Sequence, residues 1–272
     1  MLAKRLLVTI VLLPIGVYVI HLGGVAYTSV VALLLGLASW EFVQLYRANG
    51  LKPAGALVVA GSLLLVLGRA VNGFSSAPEL LSLIICLSMF HHLIAYERGR
   101  QQAATDFLAT LGGALYIGWL GAYLISLRQL PQGKWWVLLV LPAVWIADSG
   151  AYLVGTRWGR HRLSPRLSPK KTWEGYLAGV LCAILGTALL AALWRLATGE
   201  SSVITPTAGA LLGFILSVLT PLGDLGESMI KRQVGAKDSG KLFPGHGGAF
   251  DRIDSWLWAA LIGYYLITEL LL

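Results

Sequence analysis

"YLAGVLCAILGTALLAALWR", residues 176–195, carries one charged residue, Arg195, at its far end. As an α-helix, about 20 mostly apolar residues span the roughly 30 Å hydrocarbon core of a bilayer. Comparable segments lie near 6–21, 25–45, 54–70, 79–96, 107–127, 135–155, 203–223 and 255–271. The whole chain of 272 residues is 57% hydrophobic and only 12% charged, with a mean hydropathy of +0.73. That is more apolar surface than a soluble core can hide. Breaks fall at "HLGG", "RANGLKP", "VNGFSSAP", "ERGRQQ", "RQLPQGK" and "ATGESS", where turn residues and charge let the backbone leave the hydrocarbon. The expected fold is an all-α, polytopic integral membrane protein with nine transmembrane helices.

Charge sets the orientation. Lys4 and Arg5 precede the first apolar run, and no small-residue cleavage site follows it, so the run reads as an uncleaved first span. With a cytoplasmic N-terminus and an outside C-terminus, only Arg69, Arg128, Lys134 and Arg195 of the 21 Lys and Arg residues fall outside. That is the positive-inside pattern. Part of the net charge of +8 is therefore topology, and no nucleic-acid partner is expected. Trp135, Trp136, Trp158, Trp173, Trp194, Trp256 and Trp258 fall at span ends, where amphipathic rings prefer the interface. "GYLAG" (175–179) and "GALLG" (209–213) have small residues four apart, a spacing that lets helices approach closely. Cys86 and Cys182 sit far apart in apolar runs and form no metal-type cluster.

The polar residues collect on the cytoplasmic side, in the loops 156–175 and 224–254. The chain reads as one membrane domain, 1–272. Residues 1–134 (spans 1–5) form a scaffold or oligomer interface, and 135–272 (spans 6–9) carry the chemistry. Asp224, Glu227, Ser228 and Lys231 follow helical spacing and share one face if span 8 continues as helix. Asp148, Asp224, Asp251 and Asp254 are placed at a similar depth. Gathered carboxylates of that kind suit Mg²⁺, and salt bridges to nearby Lys and Arg are the alternative. Arg166, Lys170, Lys171, Ser168 and Thr172 offer donors to phosphate oxygens, with attraction to anionic lipid as the other reading. "GAKDSGK" (235–241) has Leu242 where a phosphate loop needs Ser or Thr, and "PGHGG" (244–248) lacks the partners of a zinc site.

At these residues the chain resembles the phosphatidate cytidylyltransferases. The first similar stretch is "SMIKRQVGAKDSGKLFPGHGGAFDRID" (228–254) and the second "DSGAYLVGTRWGRHRLSPRLSPKKTWEG" (148–175), about a fifth of the chain together. Ala249 departs from the pattern, where a larger aliphatic residue is expected. The resemblance implies transfer of CMP from CTP to phosphatidic acid, giving CDP-diacylglycerol and pyrophosphate, with Mg²⁺; a second, monovalent cation at the site is left open by the sequence. The resemblance further implies a homodimer in the bacterial inner membrane, among membrane lipids, with its active site facing the cytoplasm. Asp224 and Asp251 are the first choices for metal ligands, followed by Asp254, Asp238 and Asp148. Lys170, Lys171, Lys231, Arg232, Lys237 and Arg252 are candidates for CTP or phosphatidate oxygens, and the backbones of Gly247 and Gly248 for phosphate contact. His246 either hydrogen-bonds a phosphate or holds its loop. The competing class is a transporter with an intramembrane carboxylate site.

Overall fold

Backbone polar groups in hydrocarbon must be satisfied within the chain, so these apolar runs resolve into helices joined by short polar turns. The computed structural model describes residues 2–199, 202–240, 242 and 247–272. It divides into two compact units, each built from two stretches of chain. The first is Met1–Ser126 with Ile230–Ile253, the second Leu127–Met229 with Asp254–Leu272. The segment Ile230–Ile253, read from sequence as part of the C-terminal half, thus clusters with the N-terminal helices.

In the first unit, α1 (Leu2–Leu22), α2 (Gly24–Ala48), α3 (Gly55–Asn72), α4 (Ala77–Glu97) and α5 (Ala103–Gly113) follow one another, and a π-helical stretch (Ala114–Trp119) continues α5. A short α6 (Tyr123–Gln129) comes next. Packing of α2, α3 and the π-helical stretch buries Leu35, Phe42, Val58, Val66 and Ile117. Arg69, read from sequence as an outer charge, is only 2% exposed. Its guanidinium donates to Ser126 Oγ at 2.8 Å and lies 3.5 Å from the centre of the Phe74 ring. A hydrogen bond and an aromatic face compensate its burial.

The second unit contains α7 (Gly133–Trp158), β1 (Arg162–Ser164), β2 (Ser168–Thr172), α8 (Trp173–Thr198) and α9 (Pro206–Leu219). It also takes in most of α10 (Pro221–Gln233) and α11 (Phe250–Leu266), which ends in a π-helical turn (Ile267–Leu271). The hairpin β1–β2 departs from the all-helical expectation: its strands are antiparallel, with Arg162 opposite Thr172 and Ser164 opposite Ser168. It lies in a polar loop, where strand pairing is free of the hydrocarbon constraint. Thr172 ends β2 and caps α8 by accepting the Gly175 N–H. Thr205 caps α9 in the same way, followed by Pro206 at the first helical position.

The two small-residue pairs serve close packing of α7, α8 and α9. A Cβ at Gly175 would lie 2.6 Å from the Ala151 carbonyl oxygen, and one at Gly179 2.6 Å from that of Ala147. Gly209 and Gly213 are pressed as closely against Thr187 and Ala183. Among the described residues, seven helical segments are long and apolar enough to cross a membrane, from Gly24–Ala48 to Pro206–Gln233. The coarse reading of a helical, multi-span membrane protein holds. Substituting Gly179→Ile drives a branched side chain into the α7 backbone and should cost about 1–3 kcal/mol. Thermal unfolding in detergent checks this through a lowered Tm.

Candidate active site

In the second unit, Pro221 opens α10 and places Asp224 and Glu227 on successive turns of one face. Gly223 lets α11 come close: a Cβ there would stand 2.6 Å from the Asp254 carbonyl oxygen and 2.8 Å from the Trp258 ring. As a result Asp224, Glu227 and Asp254 each offer a carboxylate oxygen within 4.8 Å of the others. Glu227 is 1% exposed and Asp254 8%. Like charges at such separations repel by on the order of 3 kcal/mol per pair at an effective dielectric of about 20, so the group needs positive charge. Lys171 supplies some, with Nζ 2.5 Å from Asp224 Oδ2.

The hairpin delivers that lysine. Glu174, in the first turn of α8, accepts the backbone N–H groups of Arg160 and His161. It also meets His161 Nδ1 at 2.6 Å, tying the start of the hairpin to the helix after it. Lys170, Lys171 and Thr172 then line a cavity of about 240 Å³ together with Asp148, Tyr176 and Ser217. A largely apolar recess lined by two lysines and an aspartate suits an amphipathic ligand with an anionic group.

In the first unit, Asp251 is the most heavily hydrogen-bonded carboxylate of the sequence signature. Its Oδ1 receives Lys231 Nζ at 2.6 Å. Its Oδ2 accepts the N–H groups of Ser239 and Gly248, both at 2.8 Å, and the Ser239 hydroxyl also lies at 2.8 Å. Burial opposes ionisation of Asp251, but the Lys231 ammonium and the Gly248 and Ser239 N–H groups outweigh it and hold the pKa at about 2. Gly247 has φ 82°, a left-handed backbone, and a Cβ there would collide with the Asp251 carboxylate. Ser239, Gly247 and Gly248 therefore close on this side chain.

The Cytidylyltransferase family profile matches residues 3–270. The chain belongs to the cytidylyltransferase family. A phosphatidate cytidylyltransferase of Synechocystis sp. is 32% identical over 297 positions, covering 98% of this chain and 97% of the relative. One of Brucella suis is 32% identical over 272 positions, covering 97% and 92%. One of Mycobacterium bovis is 38% identical over 166 positions, covering 61% of this chain and 52% of the relative.

The other expected site residues of this cytidylyltransferase take varied places. Ser168 opens β2, and Arg232 donates to the Ala236 carbonyl at 3.1 Å, closing the end of α10. Lys237, Asp238 and Arg252 are exposed. His246 lies outside the described residues. Three participants were not singled out as site residues from sequence. Glu227 was placed on the polar face of α10 without a ligand role, and Ser239 was passed over. Glu41 contacts the signature loop from α2. The signal for Glu41 was present, since an acid inside an apolar span is costly enough to need a reason.

Because the Asp251 pKa is depressed, its contribution to stability is complete above the ordinary value of 3.8 and is lost as pH falls toward about 2. Asp251→Asn should therefore be less stable than the parent by roughly 2 kcal/mol at pH 7. That gap should narrow as the pH falls through this window, as read by Tm against pH in detergent.

Proposed function

We propose that this chain transfers the cytidylyl group of CTP to phosphatidic acid, forming CDP-diacylglycerol and releasing pyrophosphate. The observation that carries the reading is family membership over residues 3–270, supported in the second unit by the three carboxylates of Asp224, Glu227 and Asp254 with Lys171 beside them. The substrates follow from the activity named for the full-length relatives.

A phosphate oxygen of phosphatidate bonds to the α-phosphorus of CTP, and the bond from that phosphorus to the β-phosphate oxygen breaks. Pyrophosphate leaves with the electron pair. The nucleophile is already an anion, so no strong base is needed, and positioning and charge neutralisation are the catalytic task. Lys170 and Lys171, in the cavity beside Thr172, hold the phosphate of the lipid. Lys231, held in place by Asp251, and the backbones of Gly247 and Gly248 are assigned to the nucleotide phosphates. Arg232, Lys237, Asp238, His246 and Arg252 are kept as further polar groups of that segment.

The donor set of the second unit fits a divalent cation: three carboxylates from two helices converge within 4.8 Å, and hard oxygen ligands suit Mg²⁺. Asp224, Glu227 and Asp254 would hold it, and the ion would supply positive charge to phosphate oxygens. Asp148 and Asp251 remain further candidates from the sequence reading.

The seven long apolar helical segments among the described residues, with α1 and α11 added, support nine spans, and the Lys and Arg distribution supports a cytoplasmic N-terminus. This orientation puts the reaction on the cytoplasmic side of a bacterial inner membrane, where CTP is available, and we extend it to a homodimer. A reporter fused after Leu272 should be found outside the cytoplasm; a cytoplasmic reporter would contradict nine spans. Glu227→Gln and Asp254→Asn should each lower kcat by on the order of a hundredfold while the protein stays folded in membranes. A chelator should abolish activity and added Mg²⁺ restore it, as measured by CTP-dependent lipid labelling.

A further inference from the structure

Glu41 is the acid of α2, and the first unit joins it to the signature loop from a distance of about two hundred residues. Its Oε1 accepts the Ala249 N–H at 3.0 Å and its Oε2 the Phe250 N–H at 3.0 Å. These N–H groups belong to the start of α11, where the helix has unpaired donors and a partial positive charge. Oε2 also accepts from the Ser239 hydroxyl at 2.8 Å. The next residue on α2, Phe42, meets the Phe250 ring edge-on at 6.0 Å, and Tyr116 packs against Phe250 at 6.3 Å. One turn of α2 thus fixes both the backbone and the side chain at the end of the loop.

Two glycines of the loop are shaped by the same carboxylate. A Cβ at Gly240 or Gly248 would collide with it. Gly248 also donates its N–H to Asp251 Oδ2 at 2.8 Å. The Ser239 hydroxyl lies 2.8 Å from Glu41 Oε2 and 2.8 Å from Asp251 Oδ2. A hydroxyl has one proton, and Asp251 Oδ2 already accepts two backbone N–H groups. That one proton is shared between the two carboxylates, and Ser239 Oγ also accepts the Asp251 N–H at 3.3 Å.

We infer that Glu41 is a positioning residue for cytidylyl transfer: it holds Ser239, Ala249 and Phe250 so that Asp251 and the Gly247–Gly248 backbone keep one orientation. It touches neither substrate in this account and acts through Ser239, Gly248 and Asp251. The inference rests on the reaction proposed above.

The test uses the full-length chain purified in detergent, with CTP, phosphatidate and Mg²⁺. Glu41→Gln keeps the size of the side chain but turns one acceptor into an NH₂ that must face a backbone N–H. Its kcat per folded molecule should fall on the order of tenfold to a hundredfold, since small misplacements of reacting groups have such effects. KM for phosphatidate should change by less than about twofold, whereas KM for CTP should rise, because the groups that shift are those assigned to the nucleotide phosphates. Gly248→Ala should show the same split in the parent. The double variant Glu41→Ala with Gly248→Ala should be no slower than the slower of its two single variants, because removing the carboxylate makes room for the methyl group. Full kcat in Glu41→Gln would overturn the inference. So would losses that multiply in the double variant, or a fall in folded protein with unchanged kcat per folded molecule. An inactive parent would instead overturn the proposed reaction, which separates the two failures.

Discussion

A carboxylate taken out of water must meet compensating charge or donors, and Asp224, Asp251 and Glu41 each answer that requirement. Removing charged groups from solvent costs several kcal/mol per ion unless they are paired. Asp224 is met by Lys171, Asp251 by Lys231 and two backbone N–H groups, and Glu41 by two N–H groups and a hydroxyl. These partners come from a hairpin, a loop and helix ends, the parts of a membrane protein free to leave regular hydrogen bonding. The polar machinery is therefore concentrated where helices begin and end.

The same requirement explains where glycine is used. At Gly175, Gly179, Gly209 and Gly213 small size lets helix backbones approach. At Gly240, Gly247 and Gly248 it lets carboxylates approach the loop backbone. The first group serves packing and the second serves electrostatics. Nucleotidyl transfer to a lipid phosphate asks for both, because a rigid helical frame must hold a high density of charge against anionic substrates.

Much of this was legible in the sequence. Apolar runs longer than a bilayer is thick gave the helices, and the spacing of Asp224, Glu227 and Lys231 gave the polar face of α10. The family signature pointed to the correct enzyme class. The β1–β2 hairpin was not legible, since "SPRLSPKK" has the Ser-Pro punctuation of turns and no alternation of apolar residues. Nor was the assignment of Ile230–Ile253 to the unit of α2. That contact depends on Glu41 meeting N–H groups about two hundred positions away, and local pattern carries no record of such a partner. Arg69 looked like an outer charge because its cage of Phe74, Trp119 and Tyr123 comes from separate segments.

Following the phosphorus atoms tests the central claim most directly. The purified chain is incubated with phosphatidate, Mg²⁺ and CTP labelled at either the α- or the γ-phosphate. The account predicts that α-label enters the lipid fraction and that γ-label is released only as pyrophosphate, in equal amounts. Label from the γ position in lipid, or no transfer from either position by folded protein, would contradict it.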